Sequence, residues 1–151
     1  MARKLFEDFN VGDKFISPGR TITEGAAATM IGYAGYHFPA FIDEQFAKTT
    51  IFGSRIIPGR LTLYFMGGLV EMTEFMDLRA MIGLVGINNI KFKNPVHHGD
   101  TIKLEIEVTH KRVTSNPERG IITHHEVARN QRGEVVAEAD ITHILKIGYK
   151  R

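Results

Sequence analysis

The apolar positions of this chain follow two different periods, and the change comes near its middle. Between Leu61 and Val70 apolar residues fall on almost every side of a helix, which predicts a helix buried on all sides and entered through Pro58 and Gly59. This run is too short and too interrupted to cross a membrane. After about Asp77, apolar and polar residues alternate as they do in half-buried strands. The pattern therefore predicts one central helix followed by a sheet.

Four strands are predicted in the second half of the chain. The clearest of them places Ile102, Leu104 and Ile106 on one face and charged residues on the other. Clusters of Gly, Pro, Asn and Asp between the runs mark the turns. The predicted strands are Gly83–Lys93, Thr101–Val113, Gly120–Asn130 and Val135–Ile147.

The first half of the chain holds shorter elements. Thr23 is a suitable N-cap for a helix over Ala26–Tyr33, and Asp43 caps a short helix that ends near Thr49. The segment Gly32–Phe41 between these helices is predicted to be a loop. The segment Lys14–Ile22 is expected to be extended, with a break at Pro18-Gly19.

These elements predict the architecture. Long strands joined largely by hairpins need an apolar layer on one face, and the central helix supplies it. We therefore predict an α+β fold, in one domain over residues 1–151, with an antiparallel sheet curled around a long helix. An exposed sheet edge promotes association, so we expect a homodimer in which two sheets pair edge to edge.

Composition narrows the classes of function. The net charge of +2 is compatible with an acidic ligand, but no basic stripe with interleaved aromatic residues indicates nucleic-acid binding. The absence of cysteine excludes disulfides, thiolate catalysis and thiolate metal sites. No metal-binding, nucleophile-elbow or phosphate-loop motif occurs, so no metal is expected. The first residues contain no apolar signal core, and we expect a cytoplasmic protein with no membrane partner.

Two segments resemble a known family. The run from Gly35 to Leu61, and the segment K-F-K-N-P-V-H-H-G-D-T that begins at Lys91, are similar to the signatures of the MaoC-like, R-specific enoyl-CoA hydratases. The resemblance covers essentially the whole chain. It implies the hot-dog fold, a long helix wrapped by an antiparallel sheet, usually as a dimer. It also implies an acyl-CoA thioester as substrate or ligand, and no other cofactor.

The catalytic motif of that family is altered in this chain. In the family, Gly-Asp-x-Asn-Pro-x-His-x-Asp supplies an Asp and a His that activate water as base and acid. The same frame here runs from Gly35 to Asp43, with Tyr36, Phe38 and Phe41 at the Asp, Asn and His positions. A Phe side chain cannot move a proton, and a Tyr with a pKa near ~10 is a poor base at neutral pH. The usual dyad is absent.

His37 is the one imidazole left in that loop. Turned into the site, it would act as the base with Tyr36 as a donor; the alternative is that it points outward into solvent. Phe38 and Phe41 either bind substrate or fill the volume that the dyad and its water would have occupied. The loop is expected to face the end of the central helix.

Backbone donors for a ligand are retained. Pro58, Gly59 and Arg60 stand where the family begins its central helix, and in those enzymes a backbone N–H there donates to the thioester carbonyl. Such donors do not depend on side chains. The alternative for Gly59 is a role in close packing alone.

Basic residues near that helix are candidates for contact with coenzyme A. Lys91 and Lys93 lie at positions similar to those that meet the coenzyme A phosphates in relatives, and Arg55 is a further candidate. The alternative is an ordinary solvated strand face.

Three functions follow from the resemblance. The first is an acyl-CoA hydratase or dehydratase in which another group replaces the dyad. The second is a catalytically silent subunit that pairs with a competent hot-dog hydratase in a hetero-oligomer. A thioesterase-like protein ranks last, because no acidic residue is suitably placed in the loop.

Overall fold

The computed structural model describes residues 3–149. Its helices are a 3-10 turn at Phe6–Asp8, α1 at Glu24–Tyr33, α2 at Pro39–Ile42, α3 at Glu44–Lys48 and α4 at Gly59–Val70. Its strands are β1 at Lys14–Ile16, β2 at Arg20–Thr21, β3 at Met81–Phe92, β4 at Thr101–Val113, β5 at Arg119–Arg129 and β6 at Val135–Lys146. The sheet order is β1-β4-β5-β6-β3, with β2 also paired to β4. Every pair of these strands is antiparallel, which confirms the predicted α+β fold.

Alternation positions the long strands. The inward side chains of β4 are buried, while its charged residues face outward. The predicted bounds of β4 are confirmed to the residue, and those of the other three strands lie within two residues of the observed ones. A period of two is a strong signal because a shift of one residue would turn every apolar side chain outward.

The path of β3 differs from a simple series of hairpins. The pairs β4–β5 and β5–β6 are hairpins, but β3 lies beyond β6, with Met81 opposite Leu145 and Phe92 opposite Ala137. The connection from β3 to β4 therefore crosses between distant strands of the sheet. It carries Val96, whose carbonyl accepts a hydrogen bond from Ile57 at 2.7 Å just before α4.

Helix α4 buries one face. Leu61, Phe65, Met66 and Leu69 pack into the core, which β4 and β5 complete from the other side. The prediction that this helix is buried on all sides is wrong, because Tyr64 on the opposite face is 65% exposed. One curved sheet covers only one side of a helix. Within residues 3–149, no helix combines the length and apolar character needed to span a membrane.

The N-terminal helices are capped as predicted. Thr23 Oγ1 accepts from the Ala26 N–H at 3.3 Å, and Asp43 Oδ1 accepts from the Phe46 N–H at 3.0 Å. The predicted loop Gly32–Phe41 is partly wrong, since α2 begins within it at Pro39. Proline at the first position favours a helical start because its φ is already suitable and its missing N–H is not needed there.

Strand β3 forms an open edge of the sheet. It pairs with β6 on one side and with no other strand of residues 3–149. Six of its large apolar side chains are between 40% and 57% exposed. They are Ile82, Leu84, Val85, Ile87, Ile90 and Phe92.

Candidate functional site

The start of α4 presents unpaired backbone donors. The N–H groups of Leu61 and Thr62 donate to the carbonyl of Pro58, at 2.9 and 3.1 Å. The N–H groups of Gly59 and Arg60 have no acceptor within residues 3–149. The first N–H groups of a helix lack partners inside the helix and carry its positive dipole end. They can hold an oxygen on which negative charge develops.

A cavity of about 320 Å³ lies beside these donors, and we call it the helix cavity. Gly59, Thr62, Phe92 and Lys93 are among the residues that line it. The Phe92 ring lies directly over Gly59, because a Cβ added there would come within 3.1 Å of it. A larger residue at position 59 would narrow the cavity at the donors.

Two lysines flank the helix cavity and share one acid. Lys91 Nζ lies 3.3 Å and Lys93 Nζ 3.6 Å from the same Oε1 of Glu138. The hydrogen bond from Lys91 lowers the pKa of Glu138, and the charge of Lys93 acts in the same direction. One carboxylate cannot neutralise two ammonium groups, and Lys91 also interacts with Asp140, so Lys93 keeps the larger unbalanced charge. Of the two lysines, Lys93 also lines the cavity.

A second cavity, of about 210 Å³, lies at the altered motif, and we call it the loop cavity. Tyr36, His37, Phe41, Arg55 and His98 line it together with apolar residues of α1. The rings of Tyr36 and Phe41 meet edge to face, with centroids 5.6 Å apart. The two positions at which the resemblance places an Asp and a His therefore share one cavity.

The predicted site residues are divided between the two cavities. Tyr36, His37 and Phe41 line the loop cavity, whereas Gly59 lines the helix cavity. The cavities are neighbours, since Arg55 lines one and the next residue, Ile56, lines the other. The motif loop thus lies across this short segment from the helix donors.

Four predicted residues line neither cavity, namely Phe38, Pro58, Arg60 and Lys91. Phe38 is 57% exposed, meets the rings of Phe41 and Phe46 edge to face, and lines neither cavity. Pro58 is buried as the N-cap of α4, and the Arg60 side chain is exposed. Pro58 has no N–H to donate, so of these two residues only Arg60 has a backbone donor at the start of the helix.

Arg55 is engaged by acidic side chains. Its Nη1 and Nη2 donate to the two carboxylate oxygens of Glu24 at 2.8 and 3.1 Å, and its Nε donates to Glu44 at 3.0 Å. These bonds raise the pKa of Arg55, with Glu24 the larger cause. A phosphate would have to displace a carboxylate to reach this guanidinium.

His98 is a site residue that the sequence pattern did not reveal. Its Nδ1 lies 3.2 Å from Oε2 of Glu24, which is 74 positions away in the chain. No spacing rule connects two residues so far apart. The only local signal was the His97-His98 pair before Gly99, in a turn that the sequence did not place near the motif loop.

The histidines of β5 alternate as a strand requires. His124 is fully buried and its Nε2 pairs with Glu126 at 2.9 Å. His125 faces the other way, and its Nδ1 lies 2.7 Å from Asp140. The two neighbours therefore face opposite sides of the sheet, as successive residues of a strand do.

His143 of β6 joins the buried side of this group. Its ring stacks on that of His124, with centroids 5.5 Å apart and planes 6° from parallel. Burial lowers the pKa of His143 to about 4, and the charge of His124 adds to the effect. At neutral pH this imidazole is uncharged.

Known proteins are similar to this chain over most of its length. Protein MaoC of Klebsiella aerogenes is 35% identical over 119 residues, which are 78% of this chain. The chain spans only 33% of the length of that protein. An (R)-specific enoyl-CoA hydratase of Rhodospirillum rubrum is 30% identical over 138 residues, which are 91% of this chain and 88% of the hydratase.

Solved structures are similar to this chain as well. A monoamine oxidase regulatory protein from Archaeoglobus superposes with a TM-score of 0.86 at 32% identity, over 97% of this chain and 96% of that protein. A double hot-dog protein of Mycobacterium tuberculosis superposes with a TM-score of 0.84 at 19% identity, over 99% of this chain and 46% of that one. The latter similarity concerns the fold alone, and confirms the hot-dog arrangement of sheet and helix. The MaoC-like domain model matches residues 8–130, and this chain therefore belongs to the MaoC-like family.

Proposed function

We propose that this chain binds acyl-CoA thioesters and acts as an enoyl-CoA hydratase or dehydratase with a non-standard acid–base arrangement. The observation that carries the proposal is the pair of free N–H groups at the start of α4, with Gly59 in the wall of the helix cavity. Negative charge develops on the thioester oxygen when water adds to the double bond, and fixed donors at that oxygen stabilise it. The similarity to the (R)-specific enoyl-CoA hydratase of Rhodospirillum rubrum supports this reaction class.

The positive patch beside the helix cavity supports coenzyme A as the carrier. Lys91 and Lys93 are 61% and 45% exposed and carry more charge than Glu138 balances. We expect Lys93→Ala to raise KM about tenfold for an enoyl-CoA, because a phosphate contact is lost. The KM for an enoyl-pantetheine, which lacks the nucleotide phosphates, should not change. Lys103→Ala, an exposed lysine on β4, is the matched control.

Under this proposal, the residue that acts as general base and acid in the hydration lies in the loop cavity. The dyad positions, now Tyr36 and Phe41, line that cavity, and so does His37. His37 and Tyr36 are the candidates that the motif frame itself supplies. Hydration that falls at least tenfold in His37→Ala, with KM unchanged, would assign the role to His37.

The open β3 edge supports assembly. Six exposed apolar side chains on an unpaired strand are a surface that pairs readily with another strand. We propose that two copies of this chain pair there, or that this chain pairs there with a related hot-dog subunit.

A second candidate function is a catalytically silent subunit. The replacement of both dyad positions by Tyr36 and Phe41 favours it, since neither side chain is a base at neutral pH. In that function the chain would bind acyl-CoA or complete a partner's fold without moving a proton.

One assay separates the candidates. Hydration of a short 2-enoyl-CoA is followed with the purified chain alone and with a competent hot-dog hydratase added. Turnover by the chain alone supports the enzyme. If the chain alone is inactive, and the mixture is more active than the added hydratase by itself, the silent subunit is supported. Release of free coenzyme A thiol would instead indicate a thioesterase, and no turnover or binding in any arm would reject all three.

A further inference from the structure

The loop cavity holds a carboxylate–imidazole pair outside the motif frame. His98 lines the cavity, its side chain is 8% exposed, and its Nδ1 faces Glu24 at 3.2 Å. Its Nε2 is buried and has no hydrogen-bond partner within residues 3–149. Buried polar atoms are nearly always paired in folded proteins, so an unpaired one requires a reason.

The neighbours of His98 determine which ring nitrogen carries the hydrogen. Glu24 accepts two hydrogen bonds from Arg55, and these lower the pKa of Glu24. An ionised carboxylate can only accept. Nδ1 of His98 must therefore donate to Glu24, and in the neutral ring Nε2 carries the lone pair. This is the arrangement of an imidazole base oriented by an acid.

The position of His98 suits the function that Phe41 cannot serve. The dyad positions Tyr36 and Phe41 line the same cavity as His98. His37 also lines it, but that side chain is exposed and no group within residues 3–149 hydrogen-bonds to it. A base needs a fixed orientation as well as a suitable nitrogen, and of these two histidines His98 is the one that is held.

We propose that His98, oriented by Glu24, is the general base and acid of this chain in place of the missing dyad, a role that rests on the proposed hydratase function. When the substrate and its water open the loop cavity to the buried Nε2, this nitrogen takes a proton from the water as the water oxygen bonds to the β-carbon of the enoyl thioester. The electron pair of the double bond moves toward the thioester oxygen. The imidazolium then returns the proton to the α-carbon, so that one water is added and the base is restored.

The charged side chains around His98 carry one net negative charge. Arg55 faces the cavity, and the two carboxylates of Glu24 and Glu44 more than offset its positive charge. His37 and Tyr36 are the other titratable groups of the cavity wall. Replacement of His98 should therefore change how the rate depends on pH.

The test compares His98→Gln and His98→Ala with the exposed control His110→Gln in the hydration of a 2-enoyl-CoA. We expect kcat to fall about 100-fold or more in both His98 variants, with KM within about threefold of wild type, because general base catalysis contributes about 10² to 10⁴. Free imidazole should restore a measurable part of the rate in His98→Ala and none in His98→Gln, where the amide fills the space. The control should keep the wild-type rate.

The outcomes separate this role from the function on which it rests. A wild-type chain without hydratase activity would overturn both. An active wild type whose His98 variants keep full kcat would overturn only the role of His98. If the variants do not fold, the ring of the wild-type protein still decides by nitrogen NMR: a hydrogen on Nε2 and a lone pair on Nδ1 would contradict the proposal, and the reverse would support it.

Discussion

Acid should destabilise this protein through His143, and the size of the effect follows from its burial. The pKa of this imidazole falls from its ordinary value of 6.5 to about 4 in the folded chain. Below pH 6.5 the His143 imidazole therefore becomes protonated in the unfolded chain while it stays neutral in the folded chain. The stabilisation by the neutral ring is complete above pH 6.5 and is lost as the pH falls toward 4. The difference between a pKa of 6.5 in the unfolded chain and about 4 in the folded chain corresponds to about 3 kcal/mol of folding free energy, at about 1.4 kcal/mol per pH unit.

The assay is urea unfolding of wild type and His143→Leu at pH 7.5 and at pH 4.5. Leucine keeps an apolar side chain among Met76, Met81 and Phe75 and removes both the titration and the buried Nδ1 that lacks a partner. The wild type should lose about 2 to 3 kcal/mol more than the variant between the two pH values. His110→Gln, in an exposed position, should behave like wild type. If wild type and His143→Leu lose the same free energy of unfolding between the two pH values, His143 does not cause the acid sensitivity.

Three further predictions test packing, site and assembly. Gly120→Ala should reduce the free energy of unfolding by about 1 to 3 kcal/mol, because its Cβ would overlap the buried Phe6 ring; Phe6→Ala should cancel that cost in urea unfolding of the double variant. Gly59→Ala should lower kcat/KM for an enoyl-CoA about tenfold with unchanged thermal stability, since the new methyl meets Phe92, and Phe92→Leu should relieve the loss. Leu84→Lys, on the open edge, should shift the protein to monomer in sedimentation velocity, and an unchanged sedimentation coefficient would argue against pairing at β3.

Periodic elements were predictable from sequence because their signal is local. The bounds of β4 follow from alternating residues such as Ile102 and Leu104, where each side chain reports its own face. The caps at Thr23 and Asp43 were predictable for the same reason, since a cap and the N–H that it accepts lie three residues apart.

Features that depend on distant partners were not predictable. The exposure of Tyr64 depends on how far the sheet extends around α4, and the extent of the sheet cannot be deduced from the residues of the helix. The place of β3 beyond β6 likewise depends on a crossover that no residue pattern marks. The sequence showed which residues of each strand are buried, but it did not show which face of α4 is left exposed to solvent.

The candidate site shows the same division. The donors at Gly59 were predictable, because they depend on where a helix begins. The link from His98 through Glu24 to Arg55 was not, because it joins residues 74 and 31 positions apart. The sequence therefore revealed the loss of the dyad, while only the structure shows another imidazole in the same cavity.

The central claim is that this chain adds water to an enoyl thioester without the family's dyad. The most direct test is the steady-state hydration of a short 2-enoyl-CoA by the purified wild-type chain, with no other hot-dog subunit present and His98→Gln beside it. We expect turnover that is proportional to wild-type concentration and about 100-fold slower in the variant. A wild-type chain that gives no turnover would contradict the claim, and equal turnover by His98→Gln would contradict only the role of His98.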